Sequence, residues 1–175
     1  MQNWYALYTK HHHEKKVIDY LGSQGIEQYL PLILTLRQWK DRKVWLDLPL
    51  FPCYIFVYCN IADKKNLLNR TKGIISIVGS TGPEIVPNYQ IDSIKHVLAS
   101  QLTFEHINEF VKGEDVLVVR GPLKGIRGKF IEMRNKDLLV LQVDLINQGI
   151  AIVMNRNDVV RYTASLLLPC SVIND

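Results

Sequence analysis

The sequence predicts an α+β fold: an N-terminal antiparallel sheet flanked by helices, followed by a small all-β barrel. Three observations carry that expectation. The first hundred residues mix short alternating strands with three helical stretches. Beyond residue 101 the helical period disappears, and five short strands follow, spaced by Gly, Asn and charged turns. Finally, residues 50–59, LFPCYIFVYC, are apolar on both faces. Tyr54, Phe56 and Tyr58 point one way, and Cys53, Ile55, Val57 and Cys59 point the other, so this strand needs cover on two sides.

Taken in order, NWYALYT at 3–9 is aromatic-rich and alternating, which predicts a first strand. A helix is expected over 12–24, where Val17, Ile18 and Leu21 form the apolar stripe and GSQG supplies the stop. EQYLPLILTLRQW resumes an extended pattern, and KDRK reads as a hairpin tip leading into VWLDLPL. After the two-faced strand, a short helix around 64–69 ends near Gly73, and IISIVG is another strand. The loop STGPEIVP, with its Gly and two prolines, precedes a helix over 88–100 with Ile91, Ile94 and Leu98 on one stripe. LTFEHINEF reads as a linker. The expected strands of the barrel are DVLVVR, IRGKFIEMR, DLLVLQVDLI, IAIVMN and DVVRY. DLLVLQVDLI is Leu-rich, yet Leu139, Leu141, Val143 and Leu145 alternate onto one side, which favours a strand over a helix. The expected divisions are thus a first domain at 1–101, a linker at 102–110, a barrel at 111–163 and a tail at 164–175. That tail, ASLLLPCSVIND, is apolar, and no role is assigned to it.

Composition narrows the function classes. With 47% hydrophobic and 22% charged residues, the chain has the make-up of a globular protein of one or two domains. The net charge of +4 permits a nucleic-acid partner without demanding one, and neither half is a basic tail. Three cysteines at wide, odd spacing match neither a disulfide framework nor a zinc site. The opening QNWYALYTK is polar and strand-like where a secreted chain shows an apolar leader, and no apolar run is long enough to span a membrane. A cytoplasmic, monomeric protein is therefore expected. There is no phosphate loop, nucleophile elbow or telling pair of carboxylates, so neither an enzyme nor a cofactor is expected. In KHHHEKK, at 10–16, three successive histidines splay around a helix start and cannot all reach one ion. No Cys or carboxylate cluster joins them in the sequence, so no metal is expected either.

The best local signature is GEDVLVVRGPLKGIRGKF: a strand running into Gly121-Pro122, a loop closing at Gly125, and Gly128 inside the next strand. This Gly-Pro-x-x-Gly-x-x-Gly arrangement, flanked by valines, resembles the KOW motif of transcription and ribosomal proteins. WYALYTK, LFPCYIFV, TKGIISIVG and then IVP, with a KOW-like module behind them, together resemble the NusG family of transcription elongation factors, over roughly residues 2–163. The opening and PLFPCYIFV look closer to the specialised RfaH-like paralogs. Where the usual family segment reads FPGY, this chain has Cys53 in place of Gly.

The resemblance implies an NGN-type first domain that grips RNA polymerase through an apolar pocket on its sheet. The matching positions are Tyr8, Tyr54 and Phe56 on strands, and Ile91 and Ile94 on the following helix. An aromatic face beside an apolar helix stripe also makes a groove for a partner's helices on physical grounds, against the plain alternative that these residues fill the core. By the same resemblance, Lys10, His11, Gln24, Thr71 and Lys72 face the displaced non-template DNA strand. A helix start with Lys suits phosphate, and Gln or Thr suits a base edge. Tyr20 stands where one class of relatives has His, and DKKN at 63–66 replaces a His-Thr-Thr run that touches a second polymerase loop, so neither property transfers. The KOW module is implied to recruit a small-subunit ribosomal protein or a termination factor, with Ile146 matching an apolar contact position, though such an Ile equally caps a barrel. The implied function is elongation and antitermination at particular operons. The rival is an RNA- or ribosome-binding KOW protein without polymerase contact. It calls for a basic barrel with stacking aromatics, whereas this one is nearly neutral and poor in them.

Overall fold

The computed structural model describes residues 1–100, 102–108, 111–133 and 135–162; the expected tail at 164–175 lies outside the described residues. The N-terminal elements, in chain order, are β1 (Asn3–Thr9), α1 (Glu14–Ser23), β2 (Glu27–Tyr29), β3 (Leu32–Gln38), β4 (Lys43–Pro49), β5 (Tyr54–Cys59), α2 (Ile61–Arg70), β6 (Ile74–Ile77), β7 (Ile85–Val86) and α3 (Asn88–Ala99). An antiparallel sheet runs β2-β5-β1-β6, with β7 also paired to β1. β3 and β4 form a separate two-stranded hairpin whose Leu34, Leu36, Trp39 and Trp45 are exposed.

The two-faced strand occupies an inner position of the sheet, paired with β1 on one side and β2 on the other. Its Ile55, Val57 and Cys59 join Tyr5 and Leu7 of β1 against Val17 and Leu21 of α1 and Leu68 of α2. Burying each such Val, Leu or Ile is worth about 1.5–3 kcal/mol. Its Tyr54, Phe56 and Tyr58 belong to the opposite cluster, with Trp4, Ala6 and the apolar side of α3. α1 ends as GSQG predicts. Gly25 adopts φ +68°, its N–H donates to Gly22 O at 3.0 Å, and Ile26 N–H donates to Leu21 O at 3.1 Å. These two bonds satisfy carbonyls the helix leaves open, and Ile26 and Leu21 meet in the same apolar cluster. α2 begins three residues earlier than the sequence suggests, at Ile61.

The C-terminal half is a six-stranded antiparallel sheet ordered β13-β9-β10-β11-β12-β8, comprising β8 (Glu105–Ile107), β9 (Glu114–Val118), β10 (Arg127–Met133), β11 (Lys136–Val143), β12 (Gln148–Val153) and β13 (Val159–Arg161). All five expected strands are present. The sixth, β8, falls inside the segment expected to be a linker and pairs with β12, with Ile107 opposite Gly149. Three residues are too short to show a period, so only the available edge of β12 makes this segment a strand. Leu139, Leu141 and Val143 are buried on one side, and Leu145 packs against the same cluster, as their alternation predicts.

That cluster does not stop at the C-terminal half. It runs from the aromatic face of the N-terminal sheet through α3 into the β9–β12 core. α3 lies against β10 and β11, and Gln90 Nε2 donates to Asp144 Oδ2 at 2.7 Å across the junction.

The glycines of the KOW-like stretch have distinct duties. Gly121 and Gly125 take φ of +79° and +89° in the turn, while Gly128 lets β10 approach β11. A β-carbon at Gly128 would lie 2.8 Å from Leu139 Cδ1, Leu141 Cδ2 and Val140 O. Gly128→Ala is therefore expected to destabilise the fold by about 1–3 kcal/mol in urea unfolding. A loss within experimental error would contradict this close approach.

Candidate functional site

Two surfaces emerge from the N-terminal sheet. The first is aromatic. β1 and β5 pair with Tyr8 opposite Tyr54 and Trp4 opposite Tyr58, so their rings stand side by side on one face. Tyr8 and Tyr54 are 5.2 Å apart between ring centroids, Trp4 and Tyr58 5.3 Å, and Tyr29 and Phe56 6.3 Å in a stacked pair. Lys95 of α3 sets its Nζ 4.8 Å from the Trp4 ring and 5.1 Å from the Tyr29 ring, a cation–π contact that joins helix to sheet. Burial pushes the Tyr29 phenol well up, and burial followed by the neighbouring Tyr8 and Cys53 does the same to Tyr54.

Tyr8, 37% exposed, is the exposed ring of this face, and Tyr29, Tyr54 and Tyr58 are half-buried along it. Phe56, Ile91 and Ile94 are buried, and so is Ile146 in a short turn of the C-terminal half. The open groove expected over Phe56, Ile91 and Ile94 is therefore filled here. Phe56 sits against Tyr29 and Phe51, Phe51 meets His106 of β8 at 5.8 Å, and α3 carries the barrel on β10 and β11. Ile146 likewise caps the barrel in this arrangement and does not stand out as a knob. Gln90, 4% exposed, holds the junction: besides its bond to the Asp144 carboxylate, its Oε1 accepts from Asp144 N–H at 3.4 Å.

The second surface is basic. Lys10 N–H donates to Gly73 O at 2.8 Å, bringing the loop before α1 against the turn after α2. This juxtaposition forms a cleft lined by His13, Lys16, Tyr20, Arg70, Thr71 and Lys72. Lys10 and Lys72 are exposed along this side, whereas the His11 ring faces Cys53, with Nδ1 3.5 Å from its Sγ, in a separate pocket shared with Glu14. Thr71 is turned inward: it is buried, and its hydroxyl donates to Leu67 O at 2.8 Å, which commits it to capping α2 and not to reading a base edge. Gln24 is exposed at the far end of α1 and is not among the cleft residues. His13, Lys16 and Tyr20 were absent from the candidate residues, although their 3- and 4-residue spacing places them on one helix face.

Comparison with known proteins gives three findings. The family described as "Transcription termination factor nusG" matches residues 2–95. A solved structure described as "Domain interaction in Thermotoga maritima NusG" is similar at 19% identity, over 93% of this chain and 98% of that one, with a TM-score of 0.46. A crystal structure of an MjSpt4:Spt5 complex is similar at 17% identity, over 91% and 98% respectively, with a TM-score of 0.31.

The Gln90–Asp144 contact generates a prediction. In a double-mutant cycle with Gln90→Ala and Asp144→Ala, unfolding free energies should reveal a coupling of about 1 kcal/mol. Additive effects would mean that the barrel is not docked on α3 through this pair.

Proposed function

Because the chain belongs to the NusG family, we propose that it is a transcription elongation factor of the specialised, antiterminating, RfaH-like type. On this reading residues 1–101 bind RNA polymerase, residues 111–163 form a KOW module, and the chain links polymerase to a second partner. The observation that carries the reading is the half-open aromatic platform within the family-matched residues. Tyr8 and Tyr54 present two adjoining rings at the edge of a largely apolar face whose Trp4 and Phe56 are buried. Amphipathic aromatics at the rim of a packed apolar surface make strong protein–protein anchors, because little side-chain entropy is lost when they dock.

A helical element of polymerase would seat first on Tyr8 and Tyr54. Extending the contact to Ile91 and Ile94 requires the barrel to move off α3, and the freed barrel would recruit a ribosomal protein or termination factor, with Ile146 as the expected apolar contact. Tethering on one chain raises the local concentration of the second partner. The basic side, with Lys10, Lys16, Arg70 and Lys72, suits the phosphates of the displaced non-template strand, with His11 and Gln24 flanking it. The role is binding and bridging, without catalysis.

Two experiments test this. Tyr8→Ala with Tyr54→Ala should weaken RNA polymerase retention by about 2 kcal/mol or more while leaving the fold intact, since both rings lie at the exposed end of the face. Full retention by the folded double variant would remove the platform from the account, and the rival RNA-binding reading would then predict barrel-dependent RNA capture. In a single-stranded DNA titration, Lys16→Glu and Lys72→Glu should each flatten the slope of log K against log salt by about 0.7. An unchanged slope would exclude the cleft as a phosphate contact.

A further inference from the structure

His11, Glu14 and Cys53 come from two distant parts of the chain, yet their ligand atoms all lie within 4.8 Å of one another. Each is delivered by a separate constraint. His11 is carried by the loop that Lys10 pins to Gly73. Glu14 opens α1 and is 4% exposed, and its Oε1 accepts the Cys53 N–H at 2.9 Å. Cys53 lies in the turn before β5 with φ +67°, a left-handed conformation that a β-carbon disfavours and glycine adopts freely. The chain thus holds a thiol at a strained position, and strain of that kind concentrates at functional sites.

Cys53 Sγ is 3.5 Å from His11 Nδ1. Zinc bonds of about 2.3 Å to sulfur and about 2.0–2.1 Å to nitrogen, at a tetrahedral angle, separate two such ligands by about 3.5 Å. One thiolate, one imidazole and one carboxylate form a borderline-soft donor set that favours zinc over magnesium or calcium. The two anionic ligands balance the ion's charge, which suits a half-buried site.

We propose that His11, Glu14 and Cys53 bind one zinc ion, leaving a fourth position open. Binding releases the thiol proton to solvent as the Cys53 sulfur becomes a zinc-bound thiolate. The converging ligand atoms come from His11, Glu14 and Cys53 and not from His12 or His13, and His13 Nδ1 lies 3.1 Å from His11 O. The expectation that no Cys or carboxylate joins the histidines is corrected, because the fold brings one of each to His11. The ion clips the start of α1 to the turn before β5 and so fixes the loop that carries Lys10. This inference does not depend on the transcriptional reading.

The test uses the full chain, stripped with a chelator and titrated with zinc against a chromophoric competitor, and with cobalt as a spectroscopic probe. One zinc per chain is expected, with a near-ultraviolet thiolate-to-cobalt band and tetrahedral visible bands. His11→Ala and Cys53→Gly should each weaken binding at least about tenfold, and His12→Ala should not. Cys53→Gly also relieves the positive φ, so it should fold at least as well as the parent in chelator, by circular dichroism, and gain no thermal stability from zinc. Zinc binding that persists in Cys53→Gly, a cobalt complex without the thiolate band, or no stoichiometric binding at all would overturn the proposal.

Discussion

The constraint on which the rest of the structure depends is that β5 has no polar side. A strand with both faces apolar must be covered twice, and the architecture follows from meeting that demand. α1 and α2 cover Ile55, Val57 and Cys59, while α3 and the aromatics of β1 and β2 cover Phe56 and Tyr58. The second cover is the unusual one. It leaves Tyr8 and Tyr54 at an open edge, and its own helix is in turn roofed by the C-terminal strands. Sheet, helix and barrel are thereby joined in one continuous apolar cluster.

Much of this was legible in the residues. The alternation over Tyr54–Cys59 gave both faces of β5, although Cys53, expected on the row of Ile55, lies in the turn before it; GSQG ended α1, and Leu139, Leu141 and Val143 formed one side of β11. These are local signals, carried by periods of 2 and 3.6 and by turn chemistry. What escaped was non-local. β8 is a strand only because β12 offers an edge, and the Gln90–Asp144 pair spans 54 positions with no periodic mark. Thr71 looked like a polar surface residue, but its hydroxyl caps a helix carbonyl. The candidate site divided in the same way. Tyr8 and Tyr54 were recognisable as aromatics on a shared face, whereas the burial of Ile91 and Ile94 depends on what packs against α3.

Function, on this account, is a contest for one apolar face. Its buried part stabilises the chain, and under the proposed function its open rim would recruit. Affinity for a partner that reaches α3 is therefore reduced by whatever free energy holds the barrel in place. The basic cleft lies on the side of the sheet covered by α1 and α2, so a nucleic acid there would not compete with a protein on the aromatic face. The chain belongs to the NusG family, and under the proposed function the two surfaces would be used together.

The central claim is that RNA polymerase covers the open end of the aromatic face. Hydroxyl-radical footprinting of tyrosines, with and without polymerase, tests it most directly, because Tyr8 and Tyr54 can be compared with exposed Tyr89 on α3 in the same sample. The account predicts that Tyr8 and Tyr54 lose reactivity when polymerase binds. Undiminished labelling of both, in a sample where the complex is demonstrably formed, would contradict it.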